Sequence, residues 1–297
     1  VDPHRLRLLR ELGDRGSIAA VARALYITPS AVSQQLTALQ REFSVPLTER
    51  TGRTLRLTEA GEALAAASAG VESALADAAE SVDAYLATSD RTVSVGGLPS
   101  ILMLLLPRLS IDGPPLHLSD VDVAVRDFAG RTADHDLVIA HRLPNAQEWP
   151  ARVSVTPLFA EPLDVALPVT HRLAGRTSVR PHDLRGERWL VAHADFPLAG
   201  VIDHLGALIG ERPVVAHEVN DFPLLAELTR RGAGIGMLPR YSSRELVGDD
   251  LALVPIVGGT FARNVDVLAR PESLARAAVR DVLAGMRGAA TEIAHSG

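Results

Sequence analysis

Apolar positions first set a helical period. Val32, Leu36, Leu39 and Phe43 fall at i, i+4, i+7 and i+11, one stripe of an amphipathic helix. Thr28 can cap that helix, and Pro29 at its first position has no N–H to leave unpaired. Ser30, Ser33, Gln34, Thr37 and Gln40 lie mostly off the stripe. A face of hydroxyls and amides both donates and accepts, which suits base edges and phosphates; it equally describes an ordinary surface helix. The period then changes. Thr54 to Thr58 alternates like a half-buried strand, with Thr51-Gly52-Arg53 as the turn before it. Upstream, Ser17 can cap a second helix with Ala20, Val21, Ala24 and Leu25 inward, and Tyr26-Ile27-Thr28 connects it tightly to the next. Pro3 to Gly13 reads as a bracing helix with Leu6, Leu9 and Leu12 inside. Together these are the parts of a winged helix-turn-helix, and Arg50, Arg53 and Arg56 would sit where a wing meets phosphates.

Thr58 opens a long helix with no proline before Pro99. Leu64, Ser68, Val71, Leu75, Ala78, Val82 and Tyr85 fit a heptad seam, with steps of 4, 3, 4 and 3 from residue 71. The seam serves either a second copy of the helix or the chain's own domain. After a polar break at Thr88-Ser89-Asp90-Arg91, Thr92 to Val95 predicts a strand, Gly96 to Ser100 a loop, and Ile101 to Leu109 a helix. That order makes either an anion site or a plain strand-to-helix turn. It lacks the three-glycine dinucleotide spacing, the phosphate-loop lysine, and the glycine that follows the serine of a nucleophile elbow.

Further strands are expected at 121–125, 137–140, 163–168, 189–192, 214–218, 235–239, 251–257 and 265–269. Helical stretches at 201–209, 222–231 and 271–287 alternate with them, which argues an α/β region. The glycine-rich run from Arg231 to Gly236 follows a helix and precedes a strand, the wrong order for a phosphate cradle. Gly232 reads as a helix C-cap.

Charge sharpens this division. The net −6 is segregated: residues 1–58 hold nine arginines against five acids, a net +4, and the remainder is −10. A basic end suits nucleic acid, and an acidic body repels it and so favours one docking orientation. All thirty basic residues are arginine, and cysteine is absent, which excludes disulfides and thiolate metal sites. No signal-like start and no spanning segment is present, so a cytoplasmic protein is expected. His135 between Asp134 and Asp136, and His193 near Asp195, have no helical His pair beside them, and no metal or cofactor is expected.

The run through Gly16-Ser17, Ala22, Leu25, Pro29-Ser30-Ala31-Val32-Ser33, Leu36, Leu39, Glu42, Leu47, Arg50 and Leu57-Thr58-Glu59-Ala60-Gly61 resembles the LysR-type transcriptional regulators. Thr48, Ser44 and Gln34 depart from the residues usual there (Phe, Gly and Arg). They bear on wing geometry, cap geometry and sequence preference. The resemblance implies a multi-domain α/β protein. Residues 1–58 would form the DNA-binding domain and 59–88 a linker and dimerisation helix. Residues 92–297 would form a two-lobed effector-binding domain resembling periplasmic solute-binding proteins. Lobe 1 would be about 92–161 plus 265–297, and lobe 2 about 162–264, with crossovers at Phe159 to Leu163 and Arg263 to Val265.

In that reading Thr28, Pro29, Ser30, Ser33, Gln34 and Thr37 face the major groove of double-stranded DNA, with Arg50, Arg53 and Arg56 on phosphates. Ligands of such folds sit at the carboxyl ends of strands. The pocket candidates are therefore Leu98 and Ser100, Asp127 and Phe128, Phe196, Pro197 and Leu198, and Asn220 and Asp221; each is alternatively a cap or core residue. They suggest a partly apolar effector with an anionic end. The chain would act as a homodimer or homotetramer, without a membrane. The alternative is a small-molecule-binding protein whose N-terminal domain serves assembly; an enzyme reading has no nucleophile–base pair behind it.

Overall fold

The computed structural model describes residues 1–51, 54–86, 92–110 and 112–296. The turn residues Gly52 and Arg53 and the break at 88–91 lie outside the described residues.

The head is built from α1 (Pro3–Arg15), α2 (Ile18–Ala24), α3 (Pro29–Gln40) and the hairpin β1 (Thr48–Thr51) with β2 (Thr54–Leu57). The three helices are capped as their sequences require. Asp2, Ser17 and Thr28 each accept from a backbone N–H of the first turn, and Pro3 and Pro29 occupy positions with no N–H to satisfy. Leu8, Leu9, Leu12, Val21, Val32, Leu39 and Leu47 are buried together. At roughly 1.5–3 kcal/mol per fully buried aliphatic side chain, this cluster is the head's main source of stability. Phe43 packs on that cluster too, but from beyond the helix, which ends at Gln40.

Thr58 turns the chain into α4 (Glu59–Leu86). Its Oγ1 accepts from the Gly61 N–H and donates to the Pro46 carbonyl. α4 packs on α1 through Ala65, Ser68 and Ala69, all buried. Leu64 and Ser68 therefore belong to the chain's own packing rather than to the expected seam. Val71, Leu75 and Val82 stay exposed, the last two at 57%; the side chain of Tyr85 lies outside the described set.

The body is one sheet wrapped by helices. Its elements are β3 (Val93–Gly97), α5 (Pro99–Leu105), β4 (Leu116–Asp120), α6 (Val125–Arg131), β5 (Leu137–Arg142) and β6 (Ser154–Pro168). They continue as β7 (Arg188–Val191), α7 (Gly200–Ile209), β8 (Val214–Glu218), α8 (Phe222–Arg230), β9 (Ile235–Pro239), β10 (Leu251–Val254), β11 (Ala262–Ala269) and α9 (Ala277–Ser296). The strand order is β4-β3-β5-β11-β6-β9-β7-β8, with β10 on β6. Two sets of three parallel strands flank the antiparallel pair β6 and β11. One core gathers residues from 93–153 and 265–293, lobe 1; two further clusters gather residues from 163–261, lobe 2. After α8, Gly232 adopts φ 71° and its N–H reaches the Thr229 carbonyl.

Three expectations shift. The strand expected at 121–125 lies at β4, and Val125 already opens α6. β4 is a mostly solvated edge strand, so it needs no apolar run, whereas Val121 is buried in the lobe 1 core. Gly96 and Gly97 extend β3, and α5 starts two residues early, then tightens to a 3₁₀ turn where Pro107 supplies no N–H. The last helix begins at Ala277, after a 3₁₀ turn at 273–275, and runs on to Ser296.

Head and lobe 1 meet through an ion network. Arg270 holds Glu11 (2.7 Å) and Asp14 (2.5 Å) of α1. Arg152 bridges Asp14 and Glu62, and Arg15 reaches Glu11 and Asp134. Arg10, almost fully buried, binds Glu272 (2.9 Å) and Glu72 (3.4 Å). α6 comes so close that a Cβ at Gly130 would meet the Asp14 carbonyl oxygen at 2.8 Å. Arg10 Nε, Arg270 Nε and Glu72 Oε1 are buried without a partner, so the network is not fully satisfied.

A Cβ on Gly61 would overlap the Leu47 carbonyl, a backbone atom that cannot step aside; Gly61→Ala is expected to destabilise the head by about 2 kcal/mol, read by urea denaturation. Burial, then Glu272, push Glu72 up to about 7. The fold keeps that proton through pH 4.5–7, where the unfolded chain loses it, so Glu72 costs stability as pH rises through that window. Glu72→Gln should therefore gain on the parent between pH 5.5 and 8, seen as a Tm difference growing by about 2 °C.

Candidate functional site

Thr28, Pro29, Ser30, Ser33, Gln34 and Thr37 are all exposed on one side of the head. The structure brings Ser30, Ser33, Gln34 and Thr37 to one shallow concavity with Arg41, which the sequence reading had not singled out. Thr37 donates its hydroxyl proton to the Ser33 carbonyl (2.8 Å), which leaves its oxygen as an acceptor. Gln40 turns away from this face. Its Oε1 accepts from the Leu47 N–H and its Nε2 donates to the Val45 carbonyl, both at 2.8 Å, tying α3 to the hairpin. Tyr26, 96% exposed, takes φ 54° in the turn between α2 and α3, a conformation uncommon outside glycine.

The hairpin separates two of the three wing arginines. Arg50 pairs across with Leu55, and Arg56 with Glu49, so by strand alternation they project from opposite faces. Arg50 and Arg56 are both exposed, and Arg56 also borders a groove toward lobe 1 with Asp14, Glu62 and Arg152. Arg53 lies outside the described residues.

The second site is a cavity of about 250 Å³ between the lobes. It opens at the carboxyl ends of the parallel strands. Leu98 and Ser100 follow β3, Asp122 follows β4, Phe196 to Leu198 follow β7, and Asn220 and Asp221 follow β8. Seven of the nine candidate residues line it: Leu98, Ser100, Phe196, Pro197, Leu198, Asn220 and Asp221. Asp127 and Phe128 do not. The strand they were expected to follow lies earlier and both sit on α6. Phe128 is buried in lobe 1, edge-on to His141 and Trp149, while Asp127 borders the groove between head and body.

The cavity lining also includes Arg263, Ser242 and His141, which the sequence does not place there, and Glu161 stands behind Arg263. Arg263 of β11 and Glu161 of β6 are register partners, fully buried, with N···O 2.7 Å. Glu161 also accepts from the Tyr241 and Ser242 N–H groups, at 2.8 and 2.6 Å. Arg263 donates to Ser242 Oγ (2.8 Å), His141 Nδ1 (3.3 Å) and, at 3.5 Å, Ser100 Oγ. Because arginine can only donate, His141 Nδ1 accepts and the neutral ring carries its proton on Nε2. Burial, then Arg263, hold His141 well below its ordinary value, so it is neutral. That Nε2 is buried and has no partner. A charge interrupting an apolar strand was the available signal, at Glu161 and again at Arg263.

Trp189, Leu190, Val201 and Met237 make the walls largely apolar. Asp221 caps α8 by accepting from the Leu224 N–H at 2.7 Å, and Asn220 accepts from His193 N–H. Among the described residues no group of three or more His, Cys, Asp or Glu side chains could hold a metal ion. Nor is any described helix long and apolar enough to cross a membrane.

A polar, arginine-edged helix-turn-helix on a two-lobed body with a cleft cavity defines a ligand-responsive DNA-binding protein. Residues 3–62 match the model described as bacterial regulatory helix-turn-helix protein, lysR family, and residues 91–291 match the LysR substrate binding domain; the chain belongs to the LysR family of transcriptional regulators. It is similar to the transcriptional dual regulator GltC of Bacillus subtilis, 26% identical over 89% of each chain. It is likewise similar to a probable RuBisCO transcriptional regulator of Synechocystis sp., 26% identical over 94% of this chain and 85% of the relative. Its fold is shared with a full-length OxyR variant from Pseudomonas aeruginosa (TM-score 0.63, 19% identity, 97% and 95% of the two chains). CbnR crystallised with its target DNA also shares it (TM-score 0.52, 21% identity, 98% and 100%).

Glu161→Gln leaves the Arg263 charge buried without its counter-ion. Removing one partner of a buried pair costs about 3–5 kcal/mol, so a loss near the lower figure is expected in urea denaturation, with the body unfolding at lower denaturant.

Proposed function

We infer that this regulator reads duplex DNA through the α3 face and answers to a small molecule held in the cleft. The observation that carries the reading is the uncovered face at Ser30, Ser33, Gln34, Thr37 and Arg41. Its hydroxyls and amide match base edges, and Arg41 beside them and the exposed Arg50 on the hairpin match phosphates. Thr28 and Pro29 fix the helix start at the groove. Arg56, turned toward lobe 1, is assigned to the head–body groove instead; Arg53 stays a candidate phosphate contact on sequence grounds. Two of the head's five acids support this reading, since Glu11 and Asp14 are engaged by Arg270 of lobe 1 rather than left facing a duplex.

The uncovered stripe of Val71, Leu75 and Val82 on α4 supports pairing of two copies, which would set two reading helices on successive major grooves. Lobe 1 covers 92–161 plus 265–297 and lobe 2 covers 162–264, with β6 and β11 as the crossovers. A ligand touching both lobes shifts their arrangement only by its differential affinity. The protein acts by binding rather than by catalysis, in the cytoplasm, where its DNA is. CbnR, crystallised with its target DNA, shows the same fold at work on a duplex.

The test is fluorescence anisotropy on the DNA upstream of the chain's own gene, across a salt series. Arg50→Ala should weaken binding to every sequence and flatten the salt slope by about 1. Gln34→Ala should leave that slope intact and relax discrimination at one base pair by about 1–3 kcal/mol. If neither variant changes DNA binding, the head serves assembly alone.

A further inference from the structure

The cavity has its own charge balance. Among the described residues lining it, the charged ones are Asp122, Asp221, Glu245 and Arg263. Arg263 is already engaged: it is fully buried, neutralised by Glu161, bonded to Ser242 and His141, and stacked 5.5 Å from the Phe222 ring centroid. Arg126 lies outside the lining and is paired with Asp127 and Asp195. The charges left facing an incoming ligand are carboxylates. Asp122 comes from lobe 1 and Asp221 from lobe 2, so they address the opening from opposite sides. Partial burial, then Asp120 and Asp221, push the Asp122 carboxyl up, as expected for like charges near one another, and both Asp122 and Asp221 stand exposed at the mouth. A carboxylate entering here would meet repulsion, with no unengaged cation among the described lining residues to offset it.

A second, independent feature lies deeper. His141 lines the same cavity and its Nε2–H, buried and without a partner, lacks an acceptor. An unmet buried donor is destabilising, and a ligand oxygen brought against it as the lobes close would relieve that. Size narrows the choice further. A cavity of about 150 Å³ holds benzene, so one of about 250 Å³ takes a ring and a short arm.

On the reading that the effector sits in the cleft, we propose that this cavity selects an organic cation. The ligand is an amine on an apolar, ring-sized body. Its ammonium lies between Asp122 and Asp221, and a neutral oxygen at its far end accepts from His141. This replaces the anionic end expected from the sequence. It also gives the ligand a handle on both lobes: two like charges that push the halves apart become two partners of one cation, which favours closure.

The experiment is calorimetric titration of the full chain with matched sets sharing one body. Phenethylamine, 2-phenylethanol and phenylacetate form one set; tyramine, tyrosol and 4-hydroxyphenylacetate form the other. The amine of at least one set should bind tenfold or more tighter than its carboxylate, with tyramine ahead of phenethylamine. Leu198→Trp, which fills the cavity, should abolish binding, and Asp122→Asn with Asp221→Asn should erase the preference while keeping the α8 cap. Absence of amine binding, a preference for carboxylates, or a preference that survives the double substitution overturns the proposal. Carboxylate binding that Leu198→Trp removes overturns it but leaves the cleft reading standing. Binding that survives Leu198→Trp overturns the cleft reading itself.

Discussion

The body is organised around one buried ion pair. Arg263 and Glu161 face each other on the two strands that pass between the lobes, and every hydrogen bond they make fixes another element. Glu161 holds the backbone after β9, Ser242 joins through Arg263, and His141 brings in β5 of lobe 1. Taking both charges out of water is expensive, and the surrounding donors and acceptors offset that only in one arrangement. The pair therefore specifies geometry more than it adds stability: it sets where the strand ends of the two lobes converge, and so where a cavity exists at all.

The same chemistry is used differently between head and body. There the arginines and carboxylates alternate across a seam, and several of their polar atoms lack partners. An incompletely satisfied network costs less to separate than a complete one. The crossover pair is engaged on every side, whereas the seam leaves buried polar atoms unmet.

Local order was legible from the chain wherever a short stretch settles its own structure. The caps at Ser17 and Thr28, the α3 stripe and strands β8 and β9 needed no distant information. The misses share a cause. β4 is a solvated edge strand, while the apolar residues after it face a core built from other segments. Phe128 after an expected strand looks the same whether it faces a cavity or a core; only the packing of Trp149 and His141 decides. Gln40 reads as a surface amide until the Leu47 backbone, seven residues on, claims it. Arg263 and Glu161 are 102 residues apart, beyond any periodicity, so this part of the site could not be assembled from neighbours in sequence.

Among the described residues the ion pairs of the seam join the head to lobe 1: Arg152, Asp134, Arg270 and Glu272 all belong to that half. Lobe 2 is joined to that half through β6 and β11, so the hydrogen-bonded route from the cleft to the reading helix runs through lobe 1.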